Sequence, residues 1–210
     1  MGAPSGTVTF LFTDVEGSTR LWEGAPDVMR AALARHDEVV RGAIEDHGGR
    51  VFSTGGDGFV AAFARPADAL AAANDAQARL AAEQWPASAV IRVRMGLHTG
   101  EAEERDGLYF GLTLNLAARL TSTAHGGQVL CSSTTAGLLD GAPLVDLGQH
   151  RLRDLSAPQQ VFQAGHGTFP TLRSLDAFPS NLPAQVGAFV GREEELAEVI
   201  EALGLSLIHI

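Results

Sequence analysis

Two short acid-bearing segments constrain this chain more than anything else in it. The first, Thr9-Phe10-Leu11-Phe12-Thr13-Asp14-Val15-Glu16-Gly17-Ser18-Thr19, reads as a strand that ends in an acid and then a small loop. The second, Ser53-Thr54-Gly55-Gly56-Asp57-Gly58-Phe59, reads as a strand, a glycine turn carrying an acid, and a further strand. Two carboxylates on rigid strand ends suit a divalent cation. Mg²⁺ takes one or two protein carboxylates and leaves its other positions to water and substrate phosphates. A loop of unpaired N–H groups opening a helix suits the phosphates themselves. Taken singly, Asp14 could equally be a helix cap and Asp57 a turn residue.

The 210 residues, 45% hydrophobic and 19% charged, suffice for one domain with an appendage. A formal net charge of -10, with the 15 Lys+Arg scattered, argues against a nucleic-acid partner, which needs a basic stripe. Cys131 is the only cysteine, so the chain can hold neither an intrachain disulfide nor a Cys metal cluster. Its apolar surroundings suggest a buried small hydrophobe in a reducing compartment. Met1 to Gly6 has no signal-peptide pattern, and no apolar run reaches membrane-spanning length. A cytoplasmic protein without a membrane partner is the expectation.

Along the chain, Thr7 to Thr13 reads as a buried strand. Pro26 and Asp27 open a helix whose apolar stripe includes Leu33, Val40 and Ile44, and Gly48-Gly49 closes it. Val51–Phe52 and Phe59–Phe63 predict a hairpin around the Gly-Gly-Asp-Gly turn. Pro66 and Asp68 start an alanine-rich helix through about Gln84, and Ile91 to Leu97 alternates as a half-exposed strand. Leu112 to Thr121 reads as a third helix and Gln128 to Cys131 as a short strand. Together these predict an α/β (α+β) sandwich layered on one face. Pro170, Pro179 and Pro183 punctuate a polar stretch that reads as a linker, and a new helix starts at Phe189. No Gly-x-x-x-x-Gly-Lys-Ser/Thr run is present.

A third motif is Tyr109-Phe110-Gly111-Leu112-Thr113-Leu114-Asn115-Leu116-Ala117-Ala118-Arg119-Leu120. Asn115 and Arg119, four apart on a helix, project from one face. Such a pair can bind a sugar oxygen and a phosphate oxygen, Arg being the better planar donor to phosphate. Alone it would read as an exposed polar pair. His98, which follows a strand, reads as a core or turn histidine and is given no role.

These motifs, with Gly96-Leu97-His98-Thr99-Gly100 between them, resemble the class III nucleotide cyclases, the catalytic domains of adenylyl and guanylyl cyclases. The resemblance runs from about Thr7 to Gln163. It implies a ferredoxin-like catalytic fold, with a mixed, mainly antiparallel sheet covered by helices, over residues 1–165. A linker at 166–188 follows. Residues 189–210, with Phe189-Val190-Gly191-Arg192-Glu193, resemble the truncated start of a STAND-type ATPase module.

The resemblance further implies that Asp14 and Asp57 hold two Mg²⁺ or Mn²⁺ ions, with the Val15 carbonyl as a backbone ligand. Glu16, Gly17, Ser18 and Thr19 would form the triphosphate loop, with Arg153 as the nearest candidate for the family's triphosphate Lys. Asn115 would orient the ribose and Arg119 would stabilise charge on the α-phosphate. The active site would lie between two chains of a homodimer and convert ATP, or GTP, to a cyclic nucleotide and pyrophosphate. Two purine-reading positions depart from the family: Ser53 stands where Lys is common, and Leu108 where Asp is common. A degenerate nucleotide-binding or dimerising module regulating the ATPase is therefore an alternative. A diguanylate cyclase is another, since Gly55-Gly56-Asp57-Gly58-Phe59 looks like its signature, but the acid missing at Gly58 and the Asn115/Arg119 helix argue against it.

Overall fold

The computed structural model describes residues 3–176. The apolar, β-branched opening forms β1 (Gly6–Val15), and the loop after it starts a short helix, α1 (Ser18–Gly24). Proline sits at the first turn of both long helices, α2 (Pro26–Asp46) and α3 (Pro66–Ala82), where its missing N–H costs nothing. Between them lies the hairpin of β2 (Arg50–Gly55) and β3 (Gly58–Phe63). Next come β4 (Val93–Arg105), β5 (Leu108–Phe110), α4 (Leu112–Thr123), β6 (Val129–Ser132), α5 (Ser133–Ala136), β7 (Leu144–His150) and β8 (Gln159–Ala164).

The eight strands form one sheet in the order β2-β3-β1-β4-β6-β8-β7, with β5 added to the far end of β4. Only β4 and β6 run parallel; every other pair is antiparallel. This is the mixed, mainly antiparallel sheet that the resemblance implies. The expectation of helices on one face alone is corrected. Leu11 and Val15 of β1 face a core shared with Met29, Val40 and Ile44 of α2 and Leu70, Ala73 and Leu80 of α3. Val8 and Phe10, pointing the other way, pack with Tyr109 and with Ala117 of α4. Both faces of the sheet are therefore apolar and both are covered.

What lets α4 sit so close is glycine. A Cβ on Gly96 would fall 2.9 Å from the Thr121 backbone N, and one on Gly100 would fall 2.9 Å from the Thr113 side chain. The sequence alternation around Ile91 to Leu97 marks only half of β4. The strand continues through Glu101, Glu103 and Glu104 into a tight hairpin at Asp106-Gly107, both at positive φ (53° and 81°).

The described residues that follow β8 belong to the same compact unit as the sheet. Residues 168–176 have no regular secondary structure, yet Leu172 is buried against Leu120, Leu152 and Val161. Backbone bonds pin this strap, from Arg173 N–H to the Thr123 carbonyl (3.0 Å) and from Leu175 N–H to the Arg151 carbonyl (3.0 Å). The first part of the expected linker is thus held against the sheet. The rest of it, and the expected ATPase start at 189–210, lie outside the described residues.

Candidate active site

Asp14 ends β1 opposite Arg94 of β4, and the two side chains form an ion pair across the strands. Asp57 occupies the β2–β3 turn, with Gly56 (φ 61°) at the position where tight hairpins favour glycine. The turn is clamped to β1 in two ways. The Phe59 N–H donates to Thr13 Oγ1 (2.9 Å), and Gly58 lies against the Thr13 carbonyl so closely that a Cβ there would collide with it. Burial of Phe59, 2% exposed, anchors the hairpin by roughly 1.5–3 kcal/mol. The same contact leaves no room for an acidic side chain at position 58, which removes the diguanylate-cyclase signature on steric grounds.

Asp14, Ser53 and Arg94 line one cavity of about 330 Å³ with Gly55, Gly58 and the Ala118–Ser122 side of α4. Two polar atoms of the candidate residues are buried without a hydrogen-bond partner: Arg94 Nε, from a residue that lines the cavity, and Asp57 Oδ2, in the turn between the lining residues Gly55 and Gly58. A stranded carboxylate oxygen is costly unless a cation completes it, and a stranded guanidinium N–H calls for an anion. The residues therefore fit a divalent cation carrying phosphate. Among the described residues no group of three or more His, Cys, Asp or Glu side chains gathers into a metal site. A two-carboxylate Mg²⁺ site would take its remaining ligands from a carbonyl such as that of Val15, water and phosphate.

The triphosphate-loop candidates follow directly. Gly17 adopts the left-handed conformation (φ 69°) and its carbonyl accepts from the Arg20 N–H (3.0 Å), so Ser18 and Thr19 open α1. The Glu16 side chain is turned aside, paired with Arg173 (2.5 Å). Any phosphate contact from Glu16 would come from its neighbours' N–H groups rather than its carboxylate.

Asn115, Arg119 and Arg153 are not among the residues that line the Asp14 cavity. On α4, Ala117, Leu120 and Thr121 are buried, Asn115 is exposed, and Arg119 pairs with Asp154 (2.8 Å) in the β7–β8 connection. Asp154 holds a left-handed φ of 62°, which Asp tolerates better than most residues. Arg153, also exposed, precedes Asp154 in the same connection and makes no ion pair among the described residues. Ser53 lines the acid cavity at a β-bulge, whereas Leu108, 46% exposed, sits out on β5.

Arg94 is the residue that sequence reasoning missed. Its position opposite Asp14 depends on the pairing of β1 with β4, for which the sequence carries no local signal. His98 is a core residue of β4, its Nδ1 bonded to Ser132 Oγ (2.7 Å), and burial pushes its pKa down to about 4. Cys131 is buried, its thiol pushed up to about 12 by the apolar surroundings. No helix among the described residues is long and apolar enough to cross a membrane.

A family model described as the adenylate and guanylate cyclase catalytic domain matches residues 2–162. An uncharacterized protein of Mycobacterium tuberculosis is 47% identical over 206 residues, covering 92% of this chain and 70% of that protein. Among solved structures, an adenylate cyclase from Trypanosoma brucei, determined in its monomeric state, superposes with a TM-score of 0.75 at 29% identity. It covers 82% of this chain and 95% of its own. The guanylate cyclase domain of RhGC from Catenaria anguillulae, solved with GTP, shares the fold at 19% identity and a TM-score of 0.67, over 76% of this chain and 96% of that one. With the acid hairpin, the sheet order and the family match in agreement, this chain belongs to the adenylate and guanylate cyclase catalytic domain family.

Proposed function

We propose that the chain is an adenylate cyclase that converts ATP to 3′,5′-cyclic AMP and pyrophosphate at sites shared between two copies. The observation that carries this reading is the Asp14–Arg94 ion pair lining one cavity with Gly55 and Gly58, the two residues that flank the turn bearing the buried, unpartnered Asp57 Oδ2. Asp14, Asp57 and the Val15 carbonyl would hold two Mg²⁺ or Mn²⁺ ions. When bound, such ions lower the pKa of the ribose 3′-hydroxyl and neutralise the leaving pyrophosphate.

The chain's own residues supply the rest. Arg94, once a cation relieves Asp14 of its charge, is free to donate to a phosphate oxygen. The N–H groups of Gly17, Ser18 and Thr19 cradle the outer phosphates. Asn115 orients the ribose, and Arg119 meets charge that develops on the α-phosphate, so that positioning and preorganised charge provide most of the acceleration.

Three features favour a homodimer. Within one chain Arg119 is tied to Asp154 and not to the acid pair. Leu108, Phe110 and Leu112 leave an apolar patch beside α4, with Leu112 83% exposed. The cavity also opens on α4's own side of the sheet. Preference for adenine rests on the likeness to the Trypanosoma brucei adenylate cyclases, and Leu108 is what favours a second reading, a guanylate-type or poorly discriminating cyclase. A cytoplasmic location and a C-terminal ATPase module belong to the same proposal. The test is incubation of the purified chain with Mn-ATP or Mn-GTP and identification of the product by mass. Cyclic AMP is expected; a dimer that binds nucleotide and forms no cyclic product would favour the degenerate module.

A further inference from the structure

All the cations of this chain are arginines, 15 of them against 25 acids. At one place that balance inverts. Just past the end of β1, a cavity of about 460 Å³ is lined by Arg20, Arg92 and Arg173 around the single carboxylate of Glu16, with Gly17 at its edge. Three positive groups and one negative leave a local excess of two positive charges. Arg173 is held by Glu16 (2.5 Å), while Arg20 and Arg92 have no ion-pair partner among the described residues. None of the three belongs to a motif that carries the family resemblance, and Arg173 comes from the strap outside the matched residues.

The cavity is built, not incidental. Glu16 N–H donates to the Arg92 carbonyl (2.8 Å), which fixes the loop beside Arg92. Arg173 N–H donates to the Thr123 carbonyl (3.0 Å), and Leu172 next to it is buried, so the strap is anchored on both sides of the guanidinium. Guanidinium groups converging from three elements match phosphate oxygens better than a lone carboxylate. Glu16–Gly17 is shared between this cavity and the phosphate loop, so the two sites are neighbours along one backbone.

We propose that this cavity is a second anion site of the phosphate class, which receives pyrophosphate as it leaves the metal acids. The pyrophosphate assignment rests on the cyclase reading above; the anion site itself does not. Glu16 keeps Arg173 in place until an anion competes for it.

The test is calorimetric titration of the full chain with sodium pyrophosphate, and separately with sodium phosphate, in buffer holding EDTA and no nucleotide. Pyrophosphate should bind once per chain without metal, and at least about tenfold more tightly than phosphate. The variant Asp14→Asn with Asp57→Asn should retain that binding, which separates it from the metal site. Arg20→Gln and Arg92→Gln, both at exposed positions, should each weaken it about tenfold. Glu16→Gln should tighten it, and Arg65→Gln, remote and exposed, should leave it unchanged. Absence of metal-free binding, or binding that survives the Arg20→Gln, Arg92→Gln pair, overturns the site. Equal binding of phosphate and pyrophosphate overturns the product assignment. Because no turnover is measured, failure of the cyclase reading cannot produce either result.

Discussion

The acid hairpin and the α4 face carry the two halves of the expected chemistry, and they are built to different standards. At the hairpin, Asp57 is held by a two-residue turn, the Phe59 N–H bond to Thr13 and the close seat of Gly58 on the Thr13 carbonyl. On α4, Asn115 is exposed and Arg119 leans on an exposed acid, a pair worth little in water. The cation half is finished within one chain. The ribose and α-phosphate half has its residues in place but nothing for them to act on. On the proposed reading a second copy completes the site, and the apolar residues beside α4 would bring it.

The largest effect should come from breaking the finished half. Asp57→Asn removes an anionic ligand and should lower turnover by about a thousandfold or more. Because Asp57 Oδ2 is stranded in the chain without its cation, the same change should leave the melting temperature unchanged or raise it. Thermal melts without metal, run beside product assays, check both parts. A melting temperature that falls by many degrees would mean the carboxylate is structural.

Gly58→Ala probes the clamp and not the ligand. Its Cβ meets backbone, which cannot swing away as a flexible side chain could, so a loss of about 1–3 kcal/mol is expected with Asp57 displaced. Chemical denaturation and Mn²⁺ titration of the variant measure the two consequences.

Base selectivity should respond more gently. Ser53 lines the cavity and Leu108 lies on the exposed arm, so neither offers the charged or acidic group that would read a purine edge. Ser53→Lys with Leu108→Asp should raise the ATP-over-GTP ratio of kcat/KM by roughly tenfold, the equivalent of about 1.4 kcal/mol. An unchanged ratio in a strongly ATP-selective protein would place purine recognition in other groups.

The last effect is one of pH, and it acts on stability and not on turnover. Burial lowers the folded-state pKa of His98 to about 4 from an ordinary value of 6.5. Below 6.5 the unfolded chain binds the proton first. Stability from this group is therefore complete above pH 6.5, declines as pH falls, and is gone below about 4, a change on the order of 3 kcal/mol. Burial lowers His36 in the same direction. Denaturation midpoints between pH 7 and pH 4 should show a shallower slope in His98→Gln than in the unaltered chain.

What was legible in the sequence follows physical lines. Strands bounded by glycine turns, the Pro-opened helices and both metal-acid segments carry local signals, and β1, α2, the β2–β3 hairpin and α3 lie where those signals put them. The far half of β4 was hidden because its acidic residues edge an exposed arm, where no buried face imposes alternation. β7 and β8 were hidden too, since their pairing is long-range and their burial only partial. Helices on both faces had a signal in β1, which is apolar throughout, but the alternation from Ile91 to Leu97 pointed to one covered face. Arg94 required knowing which strand lies beside β1. The strap at 168–176 has prolines and no periodicity, so only Leu172 and the backbone bonds distinguish it from a linker.

The division into a finished half and an unfinished half is tested most directly by mixing two inactive variants. Asp57→Asn spoils the acid half and Arg119→Ala spoils the α4 half, so each homodimer should be inactive. Co-refolded or co-expressed chains give heterodimers in which one site of two retains wild-type Asp14, Asp57 and Arg119. With random pairing, activity should return to roughly a quarter of that of the unaltered chain at equal protein concentration. Mixed protein that is shown to contain heterodimers and yet forms no cyclic product would contradict the account, because both halves would then have to come from the same chain.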